Sequence, residues 1–117
     1  MLISANKIDP EDPEPLYFYF RTYADAKVPA PKAALDAARY AVILAPRDFD
    51  IAEELTFEYL RQNKLQDAAD TIKPIAYLPH YGQGRQNNAL RVLELIEASN
   101  RDAAMALTEK ELLKEDD

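Results

Sequence analysis

The chain has 117 residues, 48% hydrophobic and 30% charged, with a formal net charge of -7. That length supports one modest core and excludes a multi-domain enzyme, and the composition excludes a disordered chain, which would bury too little apolar surface to offset its ordering entropy. The negative field repels phosphate backbones and anionic headgroups, so neither nucleic acid nor a membrane is expected as a partner.

The lack of cysteine removes disulfides and thiolate metal sites and leaves the compartment open between cytoplasm and periplasm for a soluble chain. Only two glycines are present, Gly82 and Gly84, which argues against a β fold rich in tight hairpins and favours helix. No stretch reaches the length of a membrane span, and the N-terminus shows no basic region followed by an apolar run.

The chain repeats itself. Ile8-Asp9-Pro10-Glu11-Asp12 returns as Leu44-Ala45-Pro46-Arg47-Asp48, and Tyr23 returns as Tyr59, an interval of about 36 residues. Beyond that, Ala34 maps onto Ala68 and Leu44 onto Leu78 at about 34 residues, the difference falling in the loop at Pro29-Ala30-Pro31. Each unit, 12–46 and 48–80, reads as two helices.

In chain order, Asp12 and Asp48 suit helix starts because a side-chain oxygen accepts from free first-turn amides, and Pro13 suits the first helical position. The segment Leu16–Phe20 is rich in strand-favouring aromatics, and only the repeat register assigns it to a helix. Ala34, Leu35, Ala38, Ala41 and Val42 line the second helix. In the third, Ala52, Leu55 and Tyr59 share one face up to a turn at Asn63. Leu65, Ala68, Ala69, Ile72, Ile75 and Ala76 line the fourth. A fifth helix over 83–98 turns Ala89, Val92, Leu93 and Ile96 inward, a sixth covers 102–113, and an acidic tail fills 114–117.

This pattern resembles the tetratricopeptide repeat in degenerate form. Leu55 and Thr56 fall on its large and small positions, Tyr59 on the aromatic one, Ala68 on the small residue opening the second helix, and Ile72 and Ile75 on the following core positions. In the first unit Thr22, Tyr23, Ala34, Ala38, Ala41 and Pro46 fit likewise. The departures are Asn63 in place of the turn glycine, His80 in place of the closing proline, and the absence of tryptophan. The resemblance implies one all-α domain, a right-handed stack of antiparallel helix pairs with five or six helices. The fifth helix would open a third unit or cap the second. The segment Leu2–Pro10 reads as the last turn of a preceding unit, so the chain is expected to be a piece of a longer array. The loop PHYGQG and the helix after it are similar, more loosely, to the ends of larger bacterial repeat proteins.

The resemblance also implies a non-catalytic module with no cofactor, which binds a peptide or partner helix in a concave groove. Its groove positions carry over to Tyr17, Phe18 and Arg21 in the first unit and to Glu53, Phe57 and Leu60 in the second, with Glu54 and Arg61 beside them. Aromatic anchors flanked by acids favour an apolar partner with basic flanks. An open repeat edge would also permit self-association. The alternative role is a structural or regulatory C-terminal appendage of a larger bacterial enzyme.

No residue set argues for catalysis. The only histidine, His80, stands in a loop without cysteines to complete a metal set, and Glu53-Glu54 and Glu109/Glu111 read as solvated charges. Gly82-Gln83-Gly84 lacks the lysine and hydroxyl residue of a phosphate loop. Arg85 and Arg91 with Asn87 and Asn88 read as a solvated face.

Overall fold

The computed structural model describes residues 12–78 and 83–113, and every regular element among them is helical. The chain divides into two compact units at the boundary between the first two expected repeats, Met1–Asp48 and Phe49–Asp117.

The first unit is a hairpin of α1 (Glu14–Ala26) and α2 (Lys32–Leu44). The Asp12 carboxylate accepts from the Glu14 amide at 3.0 Å, and Pro13 precedes the first helical residue with a helical φ already fixed. The aromatic segment Leu16–Phe20 is helical throughout. Its spacing explains why: Phe20 is fully buried while Phe18 and Tyr19 point out, a helical and not an alternating strand pattern. Ala34, Leu35, Ala38 and Ala41 form the buried stripe of α2, whose small residues let α1 approach closely.

The second unit contains α3 (Phe49–Arg61), α4 (Leu65–Ala76), α5 (Gln83–Glu97) and α6 (Arg101–Leu107), and α6 ends in a single π-turn over Thr108–Leu112. Each helix packs on the next, and α6 and the π-turn also return to α3. Polar contacts fix the directions. Gln86 Nε2 at the start of α5 donates to the Ala76 carbonyl at the end of α4. Arg101 Nη1 at the start of α6 donates to the Leu60 and Arg61 carbonyls at the end of α3, at 3.0 and 3.3 Å. The four helices thus run up and down around one core, which holds Ile51, Leu55, Leu60, Ile72, Ile75, Val92 and Leu93. Leu35, Ala38, Leu55, Tyr59, Ala68 and Ile72 are all buried, as the repeat pattern requires.

The hairpins of both units close in the same way. The residues following α1, α3 and α5, namely Lys27, Asn63 and Ser99, adopt the left-handed conformation with φ of 60°, 61° and 60°. In each, the left-handed residue's amide reaches back three residues and the next amide reaches back five: Lys27 to Ala24 and Val28 to Tyr23, Asn63 to Leu60 and Lys64 to Tyr59, Ser99 to Ile96 and Asn100 to Leu95. This is the Schellman closure, which satisfies the last carbonyls of a helix. Because the three turns recur at one interval, α5 and α6 form a third hairpin of the same kind. The burial pattern repeats with it, since Ala68 and Ile72 of α4 correspond to Ala104 and Thr108, all four fully buried.

The sixth helix departs from the continuous 102–113 helix expected. Its last turn widens so that the Leu113 amide reaches the Thr108 carbonyl, while the buried Thr108 hydroxyl bonds to the Ala104 carbonyl at 2.7 Å. The closing-proline position of the second unit, His80, lies outside the described residues.

Candidate partner-binding surface

The six groove positions separate into two groups. On α1, Phe18 is 72% exposed, and Tyr17 and Arg21 are half-buried. Residues four apart on a helix are neighbours, and Arg21 uses both of its own. Its guanidinium lies 5.7 Å from the Tyr17 ring centre, donates to the Tyr17 hydroxyl at 3.2 Å, and pairs with Asp25 at 2.9 Å. Arg21 therefore clamps one face of α1, and the Phe18 ring stands out from it.

On α3 the outcome differs. Glu53 and Leu60 have no exposed surface, and only Phe57 remains half-exposed. Neither Glu53 nor Leu60 offers area to a partner in this conformation. At the end of α3 the physical reason is the return of α6, with Arg101 docked on the carbonyls of Leu60 and Arg61, and at Glu53 it is Arg85 of α5, which meets the carboxylate. Nine of the thirteen residues of α3 are buried, so little of its circumference is left open. Glu54 stays half-buried, and Arg61 turns back on its own helix to pair with the buried Glu58 at 3.1 Å. The Gln62 amide donates to the other Glu58 oxygen at 2.6 Å, so the Glu58 carboxylate is satisfied locally.

The feature that sequence reasoning missed is the environment of Glu53, read as a solvated charge. Its carboxylate is fully buried and meets Arg85 from the first turn of α5. Arg85 Nε lies 2.7 Å from Oε2, and Nη2 donates to Oε1 at 3.1 Å and to Asp50 Oδ1 at 3.1 Å. The Nε contact is one of charge only, so Oε2 is buried with no hydrogen bond of its own. The Arg85 guanidinium also lies 5.8 Å from the centre of the Phe49 ring. Burial pushes the Glu53 carboxyl up to about 7, against the opposing pull of Arg85 and with lesser upward pushes from Asp50 and Glu54.

A signal for this was present. Glu53 stands on the stripe Phe49, Glu53, Thr56, Leu60, whose other members are core residues, so helical spacing alone places it inside. Its partner, 32 positions along the chain, had no local signature.

Among the described residues, no group of three or more side chains is placed to hold a metal ion, and no helix is long and apolar enough to cross a membrane. Asn87, Asn88, Arg91 and Glu94 line one shallow polar hollow along α5 with Gly84 and Leu90. No family model, curated protein or solved structure matches the chain.

Proposed function

We propose that the chain is a non-catalytic protein-interaction module of the tetratricopeptide type, which binds an apolar peptide or partner helix. The observation that carries this reading is the exposed Phe18 ring beside the Arg21 clamp, on the first helix of a hairpin whose closure recurs twice along the chain. A large aromatic side chain held on a rigid helix and left in water is the kind of anchor that contributes a disproportionate share of an interface's energy. The docking set is narrower than the resemblance implied: Tyr17, Phe18 and Arg21 on α1, with Phe57 on α3 treated as a separate element of contact. Glu53 and Leu60 act in the core.

The test is a photo-crosslinking residue at position 18 in the full chain, followed by identification of the captured protein and binding measurements with that purified partner. Phe18→Ala is expected to weaken binding at least tenfold while the helical circular dichroism and melting temperature stay within error, because the ring contributes little to the core. Unchanged affinity for Phe18→Ala removes α1 as the docking surface.

A further inference from the structure

We propose that Glu53 and Arg85 form a proton-operated junction between α3 and the first turn of α5: the neutral carboxyl keeps that turn docked, and loss of its proton loosens it. The geometry contains three parts of this device. The Glu53 side chain has no exposed surface, so its ionised form cannot be relieved by water unless the surrounding structure opens. Among the described residues a single cation faces it, and one of its nitrogens is divided: Arg85 Nε serves Glu53 alone, while Nη2 is shared between Glu53 and the mostly exposed Asp50 at the same distance of 3.1 Å. One carboxyl oxygen, Oε2, makes no aligned hydrogen bond, although Arg85 Nε lies 2.7 Å from it.

The charged groups acting on Glu53 are Arg85 from α5 and Asp50 and Glu54 from its own helix. Among the described residues α4, α6 and the π-turn bring no oppositely charged side chain within ion-pair distance of it. Desolvation outweighs the attraction of Arg85, and the two acids of α3 add to the penalty. Protonation removes that penalty while leaving Oε1 able to accept from Arg85, so the neutral form is the one that packs. The element that yields is the first turn of α5, because the partner cation sits there and is itself about one-third exposed.

The sign follows from the direction of the shift. The carboxyl titrates near 7 when buried and near 4.5 when released, so the closed junction holds its proton more tightly than the open one. Its contribution to stability is complete below pH 4.5 and is lost as the pH rises to about 7. Within that window the opening constant rises about tenfold for each pH unit.

The experiment follows the full chain by nuclear magnetic resonance between pH 5 and pH 8.5. It reads the Glu53 side-chain carboxyl carbon and the exchange protection of the amides from Asn87 to Ala89, corrected for intrinsic exchange. The expected result is a carboxyl midpoint near 7 and a protection factor that falls about tenfold per unit up to that midpoint. Glu53→Gln abolishes the pH dependence of protection, and Arg85→Gln moves the carboxyl midpoint upward because the only attractive charge is gone. His80→Gln controls for the one histidine in the chain and leaves both readouts in place. A Glu53 midpoint in the ordinary carboxylate range overturns the proposal, as does pH-dependent protection that survives in Glu53→Gln or disappears in His80→Gln. If Glu53→Gln does not fold, the wild-type midpoint and the direction of its movement in Arg85→Gln decide the matter.

Discussion

At the scale of single residues, the left-handed turns show a cost the chain carries without glycine. An L-residue with a side chain loses roughly 1–2 kcal/mol in this conformation, asparagine less than most because its short polar side chain can bond locally. Asn63 is thus the comfortable occupant of the three turns, and Ser99, which is exposed, is a strained one. Ser99→Gly is expected to stabilise the protein by about 0.5–1 kcal/mol and Asn63→Gly by less, read as shifts in the urea midpoint at constant slope. Equal gains would show that asparagine carries no advantage here. Individual residues were also where the sequence was hardest to read. The groove assignments for Glu53 and Leu60 rested on the resemblance, and the structure instead buries both on the face that carries Phe49 and Thr56, beside the expected inward face of Ala52, Leu55 and Tyr59. Tyr17 and Phe18 were likewise assigned from the resemblance; once α1 is helical, the exposure of Phe18 follows from its two-residue spacing from the buried Phe20.

At the scale of elements, α3 depends on a residue far away in the chain. The last carbonyls of a helix have no intrahelical partners, and here Arg101 donates to two of them, to that of Arg61 and, as a second donor beside the Asn63 amide, to that of Leu60; it also pairs with Asp102 at 3.2 Å. A cation at that end is further favoured by the helix dipole. Arg101→Ala should cost about 1–3 kcal/mol in thermal or chemical denaturation, and Arg101→Lys should recover only part of it, since a lysine has one nitrogen where the guanidinium meets the carbonyls through Nη1 and Asp102 through Nη2. A cost below about half a kcal/mol would mean that water replaces the guanidinium freely. The helices themselves were largely legible, because long apolar periodicity reports burial directly, as it did for Leu55, Ile72 and Leu93. The return of α6 to α3 was not, since nothing local in Arg101 announces carbonyls about forty positions earlier. The π-turn at Thr108 escaped for the same reason: its cause lies in which residues the core accepts.

At the scale of the whole molecule, the two units differ in the means available to hold them together. The first has Phe20 and Leu35 as its large buried side chains, the rest of its buried stripe being alanine. The second buries Ile51, Leu55, Tyr59, Leu60, Ile72, Ile75, Val92, Leu93 and Ile96. With about 1.5–3 kcal/mol for each large apolar side chain fully buried, α1 and α2 should open at lower free energy than α3 to α5. Native-state hydrogen exchange in low urea is expected to lose protection in α1 and α2 first, and simultaneous loss throughout would mean that the chain unfolds as one cooperative body. The repeated turns bear on speed as well as form. Each helix pair is closed by contacts between residues three to five positions apart, so the search that brings its two arms together spans only a few residues, and the entropy of closing a long loop is avoided. Such a chain has little need to find distant partners before its pairs exist, and the return of α6 and the π-turn to α3, with the docking of Arg101 and Arg85, is what waits for residues more than thirty positions apart. The helix pairs of the second unit are therefore expected to form before the polar contacts of Arg85 and Arg101 that tie them to α3.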